Sequence, residues 1–356
     1  MEMKLKKLYL QDFRQFQQKT WQFGDRLNLI IAKNGAGKTT ILEAIYLLAT
    51  ARSFRASKTN ELIRFDQEIG RAYALIDQDL KLGLTLTHGS LGGKKTAVKH
   101  YTVGKAKKRQ IDFIGNLLVA CFRPEDLRLI EGSSSRRREY LDDPLSITNK
   151  NYYQAKKNYQ ASLIRRNKTL QAIKNGDLTT NSLSYWDQNL LNYGTIIHQA
   201  RSIFFHFLNH EFESPLSFKA NYLHSQVTQA RLEQYRVAEL AIGHTLIGPH
   251  KDDFEIITNF NGHEASLMTY GSRGQHRLAV LWLKLAELSY LEKITNQKPI
   301  LLLDDIFSEL DQEAQALVWN MVNEQQTIIT STDEQWRQQF SFPHVEEISV
   351  VQDSQI

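Results

Sequence analysis

The chain has 356 residues, room for two domains of roughly 150 residues each, and its 42% hydrophobic and 10% aromatic content is that of a globular protein with a core. Forty-four Lys and Arg against 39 Asp and Glu leave a net charge of +5, a modest excess whose meaning depends on where it lies, and a single cysteine, Cys121, excludes an internal disulfide and suits a reducing cytosol. No apolar run approaches the roughly 18 residues of a membrane span, and the first ten residues lack a signal-peptide core, so a soluble, cytoplasmic protein is expected.

Residues 3–31 alternate like strands, with a polar break around Asp12–Gln18. The apolar strand ending at Ile31 enters a loop of Ala32, Lys33, Asn34, Gly35, Ala36 and Gly37. Lys38, Thr39 and Thr40 then head a helix that carries Leu42, Ala44, Ile45, Leu47 and Leu48. Strand, glycine-bearing loop and helix in this order point to a phosphate-binding loop. Its N–H groups and the helix N-terminus face the β- and γ-phosphates of ATP, Lys38 adds a point charge, and the Thr39 hydroxyl holds Mg²⁺. Ala32 stands where the first glycine of the pattern is expected. An alanine forced into a left-handed conformation costs about 1–2 kcal/mol, enough to weaken ATP binding without abolishing it.

Residues 71–103 read as an antiparallel meander, with Leu80, Leu82, Leu84 and Leu86 at period two and a turn at His88–Gly93. The texture changes near residue 148: Thr148–Lys174 has no proline, glycine or acid, and Tyr152, Tyr159, Leu163, Leu170 and Ile173 recur at helical spacing. A second helix spans about Ser184–His210, so a helical arm is expected over 145–215, too short for a long coiled coil. The last third returns to α/β character, with a helix near Gly274–Leu291, a strand at Ile300–Leu303, a helix over 312–323 and a strand at Thr327–Ile329.

The strand at Ile300–Leu303 ends in Asp304-Asp305. Four apolar residues followed by acids fit a buried parallel strand whose tip faces a ligand crevice. Asp304 is placed to hold Mg²⁺ and Asp305 to orient an attacking water. Upstream, Ser272, Gly274 and Gln275 precede an amphipathic helix. A serine hydroxyl, a glycine N–H and a helix N-terminus make a second γ-phosphate site, although the same residues also suit a plain helix cap. His250, with Asp252 and Asp253 nearby, has no second histidine at a ligand spacing, so no metal site is expected there.

Phosphate loop, signature loop, Leu-Leu-Leu-Asp-Asp and Ser308-Glu309-Leu310-Asp311, in that arrangement, resemble the ABC-type ATPases of chromosome maintenance and repair. More narrowly, the chain resembles the RecF family through Phe13-Arg14, Leu42-Glu43-Ala44, Ser53-Phe54-Arg55, Pro124-Glu125-Asp126-Leu127 and Arg137–Asp142. Arg165-Arg166-Asn167, Gly248–Asp253 and Tyr270-Gly271-Ser272 extend the likeness over most of the sequence. The chain departs from that pattern at Ala32, at Ser134 and at Ala314.

The resemblance implies an α/β fold: an ABC-ATPase head of mixed sheet, helices and antiparallel β-layer, with an inserted α-helical lobe. On that basis residues 1–144 and 286–356 form the ATPase lobe and 145–285 a helical lobe containing the signature loop. It also implies a slow ATPase that binds single-stranded and duplex DNA and forms an ATP-dependent homodimer. Ser272 and Gly274 of one copy would complete the phosphate site of the other, and the RecO and RecR proteins would be partners in loading recombinase at gaps. The ATPase subunit of a membrane transporter shares the three motifs and is the alternative; a scaffold without turnover is a third reading.

Two basic stretches are candidates for DNA contact. Lys94, Lys95, Lys99, Lys105, Lys107, Lys108 and Arg109 lie on or beside the meander, and Lys156, Lys157, Arg165 and Arg166 lie on the first long helix. Several phosphate contacts would give affinity without sequence specificity; either run would equally serve as a solvated face. The tyrosines between the helix cations are expected in the core. Arg55 suits either a nucleotide or DNA contact or a surface turn.

Overall fold

The computed structural model describes residues 2–260, 262–322, 324–333 and 345–349. Two compact units make up the chain, Met1–Leu127 with Leu283–Ile356, and Arg128–Trp282. The sequence reading drew these divisions at 144/145 and 285/286.

The first unit opens with strands β1 (Leu5–Phe13), β2 (Phe16–Gln22) and β3 (Leu27–Ile31) and helix α1 (Lys38–Thr50). The meander follows as β4 (Ile69–Ile76), β5 (Leu80–Thr87), the short hairpin β6 (Ser90–Leu91) and β7 (Lys94–Lys95), then β8 (Lys99–Val103) and β9 (Ala106–Lys108). Helix α2 (Gln110–Phe113) and strand β10 (Val119–Phe122) complete this part. Antiparallel pairing assembles a six-stranded sheet in the order β2-β1-β4-β5-β8-β9. Period-two alternation decides its faces: Leu8, Leu10, Ala72, Ala74, Leu82, Leu84 and Leu86 are buried, while Lys7, Tyr9, Arg71, Tyr73 and Lys81 lie on the other side.

The second unit contains α3 (Ser134–Thr148), α4 (Lys150–Lys174), α5 (Ser184–His210), β11 (Lys219–Leu223), α6 (Gln229–Ile242), β12 (Asp253–Phe260), β13 (His263–Ser266) and α7 (Leu267–Tyr270). Asn149 caps α4 by accepting from the Tyr152 N–H at 2.9 Å. Helices α4 and α5 pack along one another, with Tyr152, Tyr159, Leu170, Leu190, Ile197 and Phe204 buried. This is the arm that helical periodicity predicts; of the tyrosines expected in the core, Tyr152 and Tyr159 are buried and Tyr153 is only half-buried. The antiparallel sheet β11-β12-β13 has no counterpart in the sequence reading, which assigned no element to residues 216–266.

Helix α8 (Arg273–Thr295) leads from the second unit back into the first. There β14 (Ile300–Asp304), α9 (Gln312–Val322), β15 (Thr327–Ser331) and β16 (Val345–Glu347) follow; residue 323, included in the expected helix, lies outside the described residues. The resulting parallel sheet has the order β10-β14-β15-β3-β16. Every residue of β3, β10, β14 and β15 is buried, as in a parallel sheet covered on both faces, and the polar Asn28, Asp304, Thr327, Thr330 and Ser331 are buried with the apolar residues around them. Helix α1 packs against β4 and β5 of one sheet and β10, β14 and β15 of the other. It is buried at every position from Thr40 to Thr50, as a helix apolar on all sides must be.

One buried side chain ties the two sheets together. Gln326 accepts from the Leu5 N–H at 2.7 Å and donates to the Leu5 and Gly24 carbonyls at 2.9 and 2.6 Å. It supplies backbone-like hydrogen bonding where neither sheet provides a strand.

Candidate functional site

The loop between β3 and α1 is shaped by two glycines. Gly35 and Gly37 have φ of +80° and +108°, a region open to glycine and strained for other residues. A Cβ at Gly37 would lie 2.5 Å from Phe16 Cζ, so position 37 excludes side chains by sterics as well as by conformation. Ala32 does not share this requirement: it is absent from the positive-φ residues among those described. The expected strain at Ala32 is therefore corrected. Its N–H donates to the Ser331 carbonyl at 3.3 Å, an extension of the β3–β15 ladder that any residue but proline makes.

Lys38 begins α1 and folds back over the loop, donating from Nζ to the carbonyls of Ala32 (2.6 Å) and Lys33 (3.3 Å). Burial lowers its ammonium below the ordinary lysine value, against the opposing pull of Asp305 and Asp304. Thr39 Oγ1 donates to Asp304 Oδ1 at 3.0 Å, and Thr330 Oγ1 donates to the same oxygen at 2.8 Å. Burial raises the Asp304 carboxyl above its usual range; the two hydroxyl bonds work in the other direction, and the charges of Glu125 and Asp305 add to the rise. A buried carboxylate crowded by two further acids, next to a lysine and a threonine hydroxyl, favours a cation at its side.

The donor set fits Mg²⁺. Both candidate ligands are hard oxygens, and their 3.0 Å separation matches the cis edge of an octahedron with Mg–O distances of about 2.1 Å. Among the described residues no group of three or more His, Cys, Asp or Glu could hold a metal by itself. The His250 ring lies against Tyr159, whose hydroxyl is 2.8 Å from Nδ1.

Asp305 begins the turn after β14 with φ +50°, a left-handed conformation that aspartate tolerates better than most residues. Its N–H reaches the Thr330 carbonyl and hydroxyl at 3.2 and 3.1 Å, which holds the bend. Parallel register places Asp304 opposite Thr330 and brings the tip of β14 level with the end of β3 through β15. Lys38, Thr39, Asp304 and Asp305 are thus assembled in the first unit.

Sequence reasoning missed the residues that brace this cluster. Gln15, in the β1–β2 turn, donates to the Gly35 carbonyl at 3.1 Å and accepts from Thr40 Oγ1 at 3.4 Å. Arg14 forms a two-pronged pair with the fully buried Glu43 of α1, at 3.0 and 2.7 Å, and Ser53 also donates to Glu43. Phe13-Arg14, Leu42-Glu43-Ala44 and Ser53 were visible as motif segments. Their convergence was not, because it depends on β1, α1 and the following turn meeting in space. Arg55 itself is exposed.

In the second unit Ser272 and Gln275 form a reciprocal cap at the start of α8. The Ser272 N–H donates to Gln275 Oε1 at 2.9 Å, and the Gln275 N–H donates to Ser272 Oγ at 3.3 Å. Ser272 remains exposed and Gly274 partly so. Behind them His276 sets one ring nitrogen 2.7 Å from Glu131 Oε1 and the other 2.9 Å from the Leu267 carbonyl.

One of the basic candidates, Arg166, is corrected, and others are engaged within the protein. Arg166 is fully buried, donating to Asp187 Oδ1 at 2.7 Å and Thr245 Oγ1 at 2.8 Å, with Nη2 2.7 Å from Glu239 Oε2 in an ion pair lacking hydrogen-bond alignment. It braces the helical unit and cannot reach a DNA phosphate. Lys156 is half-buried and its ammonium lies 2.8 Å from Asp142. Lys99 gives its ammonium to the Ala51 carbonyl at 2.8 Å, and Arg109 pairs with Asp112 at 3.0 Å. Lys105, Lys107, Lys108, Lys157 and Arg165 are exposed.

A glycine-bearing loop entering a buried helix, a strand-end acid pair beside it and an inserted helical unit with a capped turn before α8 are the architecture of an ABC-type ATPase head. The sequence matches the RecF/RecN/SMC N-terminal domain family over residues 4–352. It is 34% identical to the DNA replication and repair protein RecF of Thermoanaerobacter pseudethanolicus, over 94% of this chain and 95% of that protein. Against the protein of the same name from Streptococcus pneumoniae the identity is also 34%, covering 92% of each. A solved structure of the recombination mediator protein RecF-ATP, of the RecFOR pathway, superposes with a TM-score of 0.84 at 31% identity, covering 98% of this chain and 96% of that one. The chain belongs to the RecF family, not to the transporter ATPases. Among the described residues no helix is long and apolar enough to cross a membrane.

Proposed function

We propose that this chain is an ATP-gated DNA-binding protein of recombinational repair and replication, working with RecO- and RecR-type partners to load recombinase at gaps. The observation that carries the reading is the Thr39–Asp304 contact beneath the Lys38 loop, which joins phosphate-binding and metal-binding groups in one cluster. Loop N–H groups and Lys38 would bind the β- and γ-phosphates of ATP. Mg²⁺, held by Thr39 and Asp304, would neutralise charge developing on the phosphate oxygens. Asp305, fixed by its turn, would orient the attacking water, and its strained backbone keeps that carboxylate at the strand tip. Ser272 and Gly274 sit at the N-terminus of α8 and suit the γ-phosphate of a nucleotide held by a second copy. ATP would then draw two heads together, and slow hydrolysis would release them.

Two measurements test this. In a nucleotide titration Lys38→Ala should lose most ATP binding. In sedimentation the wild-type chain should dimerise with ATP, Asp305→Asn should accumulate the dimer, and Ser272→Arg should bind ATP yet stay monomeric. A Ser272→Arg protein that still dimerises with ATP would contradict the shared site.

A further inference from the structure

The outer face of the six-stranded sheet is unlike an ordinary solvated face. Register places Tyr9 of β1 opposite Tyr73 of β4, with ring centroids 6.0 Å apart and planes tilted by 37°. On the same face Lys7 and Lys81 lie along one side of the tyrosine pair, each opposite Leu75, and Arg71 lies on the other, opposite Gln11. Lys81 Nζ is 4.7 Å from the centre of the Tyr73 ring, and Arg71 Nη1 donates to Gln11 Oε1 at 3.0 Å. Lys107 extends the tyrosine row through Gly83 and Thr102. None of the strand residues on this face is acidic. Gly83 leaves room for Tyr73: a Cβ there would sit 2.7 Å from the ring. A shallow depression of about 550 Å³, open to solvent, lies between Lys7, Tyr9, Arg71, Tyr73 and Lys81.

We propose that this face is a binding site for single-stranded DNA, with Tyr9 and Tyr73 as a stacking platform for bases and Lys7, Arg71, Lys81 and Lys107 as contacts to the phosphodiester backbone. Rings available on a sheet surface meet base faces, which a single strand offers and a duplex conceals within its stack. Cations without acids on the same surface complement a polyanion. The volume suits one or two nucleotides and is too small for a duplex to enter. Because β1 leads directly into the Arg14–Gln15 turn over the phosphate loop, the platform is covalently continuous with the nucleotide cluster.

This rests on the DNA-binding reading above, and the experiment separates the two. The full-length protein is titrated with fluorescein-labelled oligothymidylate of twenty nucleotides and with a blunt duplex of equal length, with and without ATP. Tyr9→Ala and Tyr73→Ala should each weaken oligothymidylate binding roughly 5- to 150-fold and change duplex binding far less, while Tyr73→Phe retains binding. Lys7→Gln, Arg71→Gln and Lys81→Gln together should flatten the slope of log affinity against log salt by about 0.7 per phosphate lost. ATP binding and the melting temperature should stay at wild-type values, which excludes misfolding as the cause. If the wild type binds oligothymidylate and the tyrosine variants bind it equally well, the platform is wrong and the DNA reading stands. Equal losses for strand and duplex from the cation variants alone would reduce the face to an electrostatic patch and overturn the stacking claim. A wild type that binds neither probe overturns both readings.

Discussion

Replacing Arg166 with alanine should destabilise the helical unit rather than loosen a DNA contact. The guanidinium is fully buried and within 2.8 Å of Asp187, Glu239 and Thr245. Without it Asp187 keeps Arg236 at 3.0 Å, but Glu239, itself fully buried, keeps only the Leu246 N–H at 2.8 Å. Removing one partner of a buried pair leaves an uncompensated charge and costs about 3–5 kcal/mol. Folded domains are stable by only about 5–15 kcal/mol, so at least about a fifth of the stability should go. Arg165, one residue earlier and exposed, is the control, with an expected change within about 0.5 kcal/mol. Urea unfolding followed by circular dichroism measures both. Because Glu239 is the group left stranded, Arg166→Met with Glu239→Met should recover part of the loss seen for Arg166→Met alone. Should Arg166→Ala unfold at the same urea concentration as Arg165→Ala while losing DNA binding, the buried-brace argument is refuted.

Gly37→Ala should abolish ATP binding, since φ of +108° and the 2.5 Å approach to Phe16 both exclude a Cβ, whereas Gly35→Ala, with no atom within 4 Å, should cost only backbone strain of about 1–2 kcal/mol. Equal affinities for the two variants in a titration would contradict the steric account. Gln326→Leu should lower stability by about 2 kcal/mol or more, because the Leu5 N–H and carbonyl lose the Gln326 side chain at roughly 1–3 kcal/mol each, while the Gly24 carbonyl keeps the Asn28 amide at 3.1 Å; the amide of Leu5 should then exchange with solvent hydrogen markedly faster. Stability should also fall on acidification in two windows. Burial lowers the His250 imidazole to about 4, so between pH 6.5 and 4 the unfolded chain takes up a proton that the folded chain refuses, at a cost approaching 3 kcal/mol. Burial alone would raise Asp142, but Lys156 and Arg201 hold it at about 2, so its contribution is present above the ordinary aspartate value and is lost as pH falls from there through about 2. His250→Gln should flatten the first window and leave the second; a urea midpoint that still falls between pH 6.5 and 4 in that variant would show another group responsible.

The sequence by itself determined the elements that carry a local signal. Period-two leucines marked β5, helical spacing of Tyr152, Tyr159 and Leu170 marked α4, and an apolar run closed by two acids marked β14, because each pattern reflects one element's burial on one side or on all. Glycines at 35 and 37 marked the loop because positive φ is a backbone property that residue type reveals. Residues 216–266 were assigned no element: β11 and β13 are only five and four residues long, alternation in β12 is confined to Phe254 and Ile256, and β11 and β12 are joined through a helix between them. The tertiary structure alone decided which charges face water. Arg165 and Arg166 are adjacent in sequence and equally basic, but a turn of about 100° per residue along α4 sends one outward and the other into Asp187 and Glu239. It also decided that Gln15, Thr330 and Glu43 stand around the phosphate loop, and that Tyr9 and Tyr73 share a face. Those neighbours are far apart along the chain, and only strand register and layer packing, set by long-range burial, bring them within a few ångströms.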